Sequence, residues 1–214
     1  MLNTCQMGKE KKPAVTQERG ARTRERIEAA ALAAFADRGY DGASTRQIAD
    51  LAGVKQQLIT YHYGSKLDLW KVVADRLFTG YREHQQARLA GLAGVDDVTT
   101  TRLLIRDYLE YCAHHPQLAK FMMHEGGVLT HRLRWLFERH TSRLIGTMQD
   151  QIAAARKLTG APEVNMVQLG YVLIGASAMF SQEAEYQLLM GESANSEATI
   201  DSYSELLTSL ILGG

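Results

Sequence analysis

TRQIADLAGVKQQLITYHYGSK, residues 45–66, predicts two short helices joined by a tight turn. Thr45 suits the N-cap of the first helix, because its hydroxyl can accept a backbone N–H of the first turn. Gly53 suits the end of that helix, where a left-handed residue is often required. The second helix is predicted from about Lys55 to Tyr63. Two helices around a short glycine-containing turn form a helix-turn-helix, whose second helix can enter the major groove of DNA.

Apolar residues of this stretch are predicted to hold the two helices together. Val54 is expected to be buried in the turn, and Leu58 and Ile59 are expected to face inward from the second helix. The first helix has a short apolar face that consists of Ile48, Ala49, Leu51 and Ala52.

Polar residues of the same stretch are candidates for contacts with DNA. Gln56 and Gln57 open the second helix, where recognition helices reach base edges, and glutamine can form a bidentate pair with adenine. Hydroxyl, imidazole and ammonium groups can contact phosphate oxygens. On spacing alone, the alternative is an amphipathic helical hairpin with a solvated polar face. The candidate DNA-binding residues are Thr45, Arg46, Lys55, Gln56, Gln57, Thr60, Tyr61, His62 and Lys66.

This stretch resembles the end of the DNA-binding domain of the TetR family of bacterial transcriptional regulators. Thr60 stands where that family often has tyrosine, and Tyr63 keeps an aromatic ring where phenylalanine is frequent. The upstream residues 30–49, AALAAFADRGYDGASTRQIA, are also similar to the family, so the resemblance covers about residues 20–70. The residues that match are Gly53, Val54, Ile59, Tyr61, His62, Gly64, Ser65 and Lys66, followed by Leu67 and Leu69.

The resemblance implies an all-α protein of about nine helices. It has an N-terminal three-helix helix-turn-helix DNA-binding domain and a C-terminal helical ligand-binding and dimerisation domain. The predicted division is a disordered basic tail at 1–17, the DNA-binding domain at 18–65 and the helical domain at 66–214. No convincing run alternates apolar and polar residues with β-branched enrichment, so no sheet is expected.

Charge is distributed unevenly along the neutral chain. Residues 1–66 contain 11 Lys and Arg against 7 Asp and Glu, which suits DNA contact at the N-terminal end. The first helix is predicted at about 19–38. Positive charge at a helix N-terminus opposes the helix dipole, so a phosphate contact is favoured over a merely solvated helix end. The basic residues at that end are Arg19, Arg22, Arg24 and Arg26.

Several features favour a cytoplasmic protein, and the resemblance implies a bacterial one that is nucleoid-associated when bound to DNA. Cys5 and Cys112 have no metal-ligand spacing, which suggests a reducing compartment. The N-terminus has no apolar signal-peptide core. Residues 164–182 lack charge but contain too many polar side chains for a membrane span, so no membrane partner is expected.

Beyond the DNA-binding domain, apolar periodicity predicts further helices. They lie at about 66–89, 99–113, from Pro116 to before Gly126, 129–158, 162–190 and 196–212. The last two are apolar over much of their surface, which favours a four-helix bundle between two copies over a purely intramolecular core. A helix-turn-helix normally needs a partner to span two half-sites. Candidate interface residues are Gly175, Met179, Leu206 and Leu210.

A small-molecule pocket is the other candidate site. Soft apolar groups mixed with hydrogen-bonding tips are typical of such pockets, although ordinary cores share that composition. The seven histidines lack zinc-site spacing, and no phosphate loop or catalytic motif occurs, so no metal, cofactor or enzyme activity is predicted. The candidate pocket residues are Tyr108, Tyr111, Phe121, Met122, His124, Trp135, Tyr171 and Phe180.

Together with the resemblance, these patterns predict a homodimeric transcriptional repressor. Its partners would be double-stranded DNA with a palindromic operator, a second copy of the chain, and a small apolar or amphipathic effector that releases the operator. One alternative is an activator, or a regulator gated by a protein partner rather than by a small molecule. A third is an enzyme or carrier with an incidental helix-turn-helix.

Overall fold

A computed structural model describes the backbone of residues 12–213 and the side chains of residues 18–213. Every regular element in this part of the chain is helical, which confirms the predicted all-α class. The chain divides into two compact units, with the boundary between Val73 and Ala74. The predicted disordered tail lies outside the described residues as far as residue 11, and the backbone of residues 12–17 is already helical.

The N-terminal unit contains three helices and the beginning of a fourth. Gly39 has φ 68°, which interrupts the first helix where the sequence predicted its end. The core of this unit places Ile27 and Phe35 against the helix-turn-helix, and all three buried isoleucines of the unit have almost no exposed surface. The helices are α1 (Lys12–Gly42), α2 (Thr45–Ala52), α3 (Gln56–Tyr63) and α4 (Lys66–Gly91).

Seven further helices follow in the C-terminal unit. The first of these helices packs against the fourth and the seventh and supplies Ile105 and Leu109 to the core, where they meet Ile152 and Ile211. They are α5 (Asp97–His114), α6 (Gln117–Gly126), α7 (His131–Leu136), α8 (Ser142–Thr159), α9 (Met166–Ser177), α10 (Glu183–Met190) and α11 (Glu197–Leu212).

Two predicted long helices are each divided in the structure. The helix predicted at 129–158 contains a π-helical turn at Phe137–Thr141, between α7 and α8. The helix predicted at 162–190 begins only at α9, because Asn165 Oδ1 accepts the backbone N–H groups of Val167 and Gln168 and so caps it. A 3₁₀ turn at Ala178–Ser181 then separates α9 from α10.

Buried charged side chains fix helix ends in the C-terminal unit. Arg156 of α8 donates hydrogen bonds to the backbone carbonyls of Ile211 and Pro162. Carbonyls in the last turn of a helix have no intrahelical partner and carry the negative end of its dipole, so a guanidinium there is stabilising. Glu125 and Arg132 form a second buried contact, at 3.1 Å, between α6 and α7. Since both side chains are buried, loss of either would leave a buried charge and destabilise the fold.

The π-helical turn brings two consecutive side chains to one carboxylate on α4. Arg139 Nε lies 2.5 Å from Asp75 Oδ1, and His140 Nε2 lies 2.8 Å from the same oxygen. The His140 ring is buried and stacks on Phe78 with the centroids 5.3 Å apart. Burial lowers the pKa of His140 and outweighs the opposing effect of Asp75, which favours the neutral imidazole.

This burial predicts a pH-dependent stability. Because the pKa of His140 lies below its ordinary value of 6.5 in the folded chain, the unfolded chain binds this proton at higher pH. The stability contributed by neutral His140 is therefore complete above the ordinary pKa and is lost as the pH falls. We expect His140→Gln, which can still donate to Asp75, to reduce the fall in melting temperature between about pH 7.5 and pH 5.5.

The matched control is His131→Gln, because His131 is exposed on the same helical segment. Calorimetry of the two variants and the unaltered chain across this pH range decides the matter. A slope that is equal in all three proteins would contradict the assignment.

Candidate nucleic-acid interface and helical cavity

The start of α2 is fixed by a capping box one residue before the predicted cap. Ser44, and not Thr45, is the N-cap: its Oγ accepts the backbone N–H of Gln47 at 3.2 Å. In return Gln47 Oε1 accepts the backbone N–H of Ser44 at 3.1 Å. The prediction for Thr45 was wrong because the reciprocal partner lies three residues after Ser44, which the capping box requires. Thr45 is instead the first helical residue, and its hydroxyl accepts a hydrogen bond from Gln56.

The turn between α2 and α3 depends on Gly53 and on an arginine of α1. Gly53 has φ 61°, a left-handed conformation that glycine adopts without a steric penalty. Arg26 Nη2 donates to the carbonyls of Ala52 at 2.5 Å and Gly53 at 3.1 Å. Arg26, a predicted phosphate contact, thus caps the end of α2 within the protein.

Two predicted core residues of this region are more exposed than expected. Leu51 is 66% exposed, and Val54 is only half-buried. In contrast, Ala49 and Ile59 are buried at the crossing of the two short helices. The apolar face of α2 is therefore narrower than the sequence suggested, because α2 has only two turns and packs through one side of them.

The first turn of α3 presents polar side chains to the outside. Gln56 Nε2 donates to Thr45 Oγ1 at 3.0 Å, which links the first residues of the two short helices. With one amide hydrogen held in this way, Gln56 retains its carbonyl oxygen and a second amide hydrogen for another partner. The candidate DNA-binding residues that are exposed are Arg46, Lys55, Gln56, Gln57, Thr60 and Tyr61, and Thr45 is half-buried beside them.

The end of α3 is anchored to the rest of the N-terminal unit. Tyr63 hydroxyl donates to Glu28 Oε1 at 3.0 Å, so this ring does more than fill space. Lys66 Nζ lies 4.2 Å from the centroid of the Tyr40 ring, a cation–π geometry, and Lys66 is half-buried. His62 is also half-buried, with its ring against Tyr61. The side chains of the two candidates His62 and Lys66 are therefore already in contact with aromatic rings of the same chain.

The C-terminal unit contains a small cavity of about 40 Å³ between its helices. Tyr81 and Gln85 of α4 lie on one side, Thr101 and Tyr108 of α5 on another, and Met148 among the residues of α8. The complete lining is Tyr81, Gln85, Leu89, Thr101, Leu104, Ile105, Tyr108, Thr147, Met148, Gln151, Ile152 and Leu173.

Of the eight pocket residues predicted from the sequence, Tyr108 lines this cavity. Its hydroxyl donates to Ser177 Oγ at 3.0 Å. Among the others, Tyr171 is 71% exposed and His124 is also exposed, whereas Met122 and Trp135 are half-buried. The candidates that are buried among other side chains are Tyr111, Phe121 and Phe180. The lining residues that the sequence did not predict lie on α4, α5, α8 and α9. The available signal was polar side chains at helical spacing on otherwise apolar faces, such as Tyr81 and Gln85.

The predicted interface residues lie on an exposed apolar surface. Leu206 and Leu210 of α11 are 54% and 60% exposed, at i and i+4 on one face of the helix. Gly175 of α9 is exposed, and Met179 is half-buried. Tyr171 of α9 adds a further exposed aromatic ring. A single exposed leucine is ordinary, but a row of apolar residues along two helices is typical of an interaction surface.

Other classes of site find no support in the part of the chain that has been described. Within residues 12–213, no group of three or more His, Cys, Asp or Glu side chains is arranged to hold a metal ion. Over the same residues, no helix combines the length and apolar character that crossing a membrane requires.

The N-terminal unit thus has the features of a helix-turn-helix domain: a capped first helix, a left-handed turn, and a second helix with an exposed polar first turn. This is the class of domain that reads DNA through the major groove. The C-terminal unit adds a helical body with a cavity and an exposed apolar surface.

Comparison with known proteins agrees with this class. The model of bacterial regulatory proteins of the tetR family matches residues 27–73. The transcriptional activator FasR of Mycolicibacterium smegmatis is 30% identical over 126 residues, 55% of each chain. The transcriptional repressor NicS of Pseudomonas putida is 28% identical over 54% of this chain and 56% of its own. Residues 27–73 are therefore similar to the TetR family, and the chain spans about half the length of these curated relatives.

Solved structures share the fold over a greater length. The regulator FadR from Bacillus subtilis in complex with stearoyl-CoA superposes with a TM-score of 0.63, at 16% identity, over 86% of this chain and 97% of that one. At this identity the likeness shows a common fold across both units.

The contact between Arg26 and the end of α2 gives a stability prediction. Removing the guanidinium with Arg26→Gln should lower the free energy of unfolding by about 1 kcal/mol, because carbonyls at the end of α2 lose a charged donor. Arg22→Gln is the matched control, since exposed Arg22 forms only a surface pair with Glu18 of the same helix. Urea denaturation measures both. Equal effects of the two substitutions would mean that the Arg26 contact contributes nothing specific.

Proposed function

We propose that this protein is a homodimeric, sequence-specific DNA-binding transcriptional regulator. The observation that carries the proposal is the exposed polar first turn of α3 on a helix-turn-helix whose start and turn are both fixed by hydrogen bonds. Gln56 and Gln57 offer amide groups to base edges. The match of residues 27–73 to the tetR family model and the names of the similar regulators support the same function.

Phosphate contacts would come from the basic and hydroxyl groups around this turn. Arg46 and Lys55 are exposed near Gln56, and Thr60 and Tyr61 are exposed further along α3. Such contacts position a recognition helix and provide affinity, whereas base contacts provide specificity. Lys66 and His62 are weaker candidates, because each would first give up a contact with an aromatic ring.

The exposed apolar surface of α9 and α11 is proposed as the dimer interface. Two copies related by a twofold axis would bring Leu206 and Leu210 against α9 and α11 of the partner, as a four-helix bundle. A dimer presents two recognition helices, and this matches an operator with two inverted half-sites.

A small molecule is proposed to release the dimer from its operator, which makes the protein a repressor. The cavity between α4, α5, α8 and α9 is the proposed effector site. The FadR structure named above contains stearoyl-CoA, which supports a helical body able to take up a ligand. Activation is the second candidate, since the relative FasR is named an activator. In either case the ligand shifts DNA binding only by its difference in affinity for the two states.

The DNA-binding proposal is tested by selecting bound sequences from a random DNA pool at two salt concentrations. We expect an inverted repeat. Gln56→Ala should relax the preference at one position of each half-site and cost about 1–3 kcal/mol there. Lys55→Ala should weaken binding to all sequences and reduce the salt dependence of the affinity.

The two variants serve as controls for each other, because both residues are exposed at the start of α3. Uniform loss on every sequence for Gln56→Ala would remove its role in base recognition. Recovery of no motif with the unaltered chain would reject sequence-specific binding.

The dimer proposal predicts a monomer when the apolar surface receives a charge. Leu210→Glu would bury an unpaired carboxylate in the interface and should convert the dimer to a monomer in light-scattering measurements. Leu188→Glu is the matched control, because Leu188 of α10 is 88% exposed and lies outside the proposed interface. Dimers that persist with Leu210→Glu would rule out this part of α11 as the interface.

A further inference from the structure

The cavity in the C-terminal unit is lined by side chains that are all uncharged. Half of them are polar and half are apolar, and the apolar ones include Ile105, Ile152 and Leu173, which are almost fully buried. The polar side chains are Tyr81, Gln85, Thr101, Tyr108, Thr147 and Gln151. Hydroxyl and amide groups can hydrogen-bond a ligand but supply no countercharge to an ion.

Charges near the cavity reinforce this neutrality. Burial, with a smaller contribution from Asp107 on the same helix as Tyr108, raises the pKa of Tyr81. That carboxylate already has two partners on α4: His84 Nε2 lies 2.9 Å and Arg88 Nε 3.7 Å from its oxygens. The tyrosine hydroxyls therefore remain protonated at neutral pH, and the nearby Arg88 guanidinium is already paired with Asp107.

Three of the polar side chains have defined partners. Tyr108 donates to Ser177, so its oxygen keeps acceptor capacity toward the cavity. Thr101 Oγ1 and Gln151 are joined to each other at 3.4 Å across α5 and α8. A ligand hydroxyl could donate to Tyr108, and a ligand carbonyl could accept from Tyr81. The apolar part of the same ligand would displace water from Ile105, Ile152 and Leu173.

We propose that this cavity binds an uncharged molecule with a short apolar body and a hydroxyl or carbonyl group, rather than a carboxylate or a phosphate. The inference rests on the proposed function in taking the cavity as the effector site. It assigns the ligand class from the lining alone. Burying an anion here would cost its hydration without a cationic partner in return, whereas a neutral polar group exchanges water for tyrosine, threonine or glutamine.

The size of the cavity favours small ligands. At about 40 Å³ it has room for a few water molecules as it stands. Met148 is the flexible side chain of the lining, and its methyl carbon lies 3.2 Å from the position that a Cβ on Gly170 would occupy. Movement of this unbranched thioether is the least costly way to enlarge the space. The methyl group of Met148 is therefore also the natural reporter of occupancy.

The test uses the chain of residues 1–214, labelled with ¹³C at its methionine methyl groups, and three probes with the same eight-carbon chain: 1-octanol, octanoate and octanoyl-CoA. At about pH 7.5, 1-octanol is neutral, and octanoate is ionised. The resonance of Met148 is identified by its loss in Met148→Leu. We expect the shift of this resonance to give an apparent dissociation constant for 1-octanol that is about tenfold lower than those for octanoate and octanoyl-CoA.

A charge introduced into the lining provides the second arm. Gln85→Lys places an ammonium group beside the cavity and should improve octanoate binding by about tenfold relative to the unaltered chain. Gln86→Lys is the matched control, because Gln86 is the exposed neighbour on α4 outside the lining. It should leave both apparent dissociation constants unchanged.

The outcomes separate this inference from the proposed function. If octanoate or octanoyl-CoA has an apparent dissociation constant as low as that of 1-octanol, the cavity does not prefer neutral ligands. That result overturns the neutral-ligand inference but is still compatible with an effector site in the cavity. A Met148 resonance that no probe shifts overturns the cavity as a binding site. The selection of operator DNA is independent of both results, so failure there rejects the proposed regulator without deciding what the cavity binds.

Discussion

The proposed DNA-reading surface depends on how the C-terminal end of α2 is held. The last carbonyls of any helix lack partners within the helix. At the end of α2, the Arg26 guanidinium of α1 donates hydrogen bonds to such carbonyls. Two features of Gly53 disfavour a side chain at this position. Its φ of 61° is a left-handed conformation that residues with a Cβ rarely adopt, and a Cβ there would lie 2.7 Å from Arg26 Nη2. Because this one contact joins α1 to the turn, it also fixes the direction in which α3 leaves the turn, and so the side chains that α3 presents outward.

Polar contacts at helix ends are used in the same way throughout the molecule. Ser65 caps α4 by accepting the backbone N–H of Asp68, and Arg156 satisfies the last turn of α11. In each case a side chain completes backbone hydrogen bonding that the helix itself cannot complete. The carboxylate of Asp75 does something different, because it holds the π-helical turn after α7 by pairing with two of its residues. π-helical turns are rare and usually require such a specific cause.

The two proposed surfaces of the C-terminal unit differ in the way their apolar residues are distributed. Around the cavity, apolar and neutral polar side chains alternate on facing helices, which suits a small molecule that needs both burial and hydrogen bonds. The exposed residues of α9 are mostly apolar, and Leu206 and Leu210 are exposed on one face of α11, which suits another protein surface of the same character. The same helices contribute to the core through their other faces, so neither surface requires additional elements.

The sequence by itself determined the helix-turn-helix, because the signals that build it are local. A left-handed glycine, a hydroxyl cap and the spacing of Ile48, Ala49 and Ile59 act within a few residues of one another, and the error in the cap was one position. The tertiary structure alone decided the use of Arg26, the π-helical turn and the lining of the cavity. Each of these depends on residues far apart in the chain: Asp75 and Arg139 are 64 positions apart, and Tyr81 and Leu173 come from helices separated by most of the C-terminal unit. Helical periodicity identifies the face of a helix that is buried, but the partner that it meets is set by packing of all the helices together.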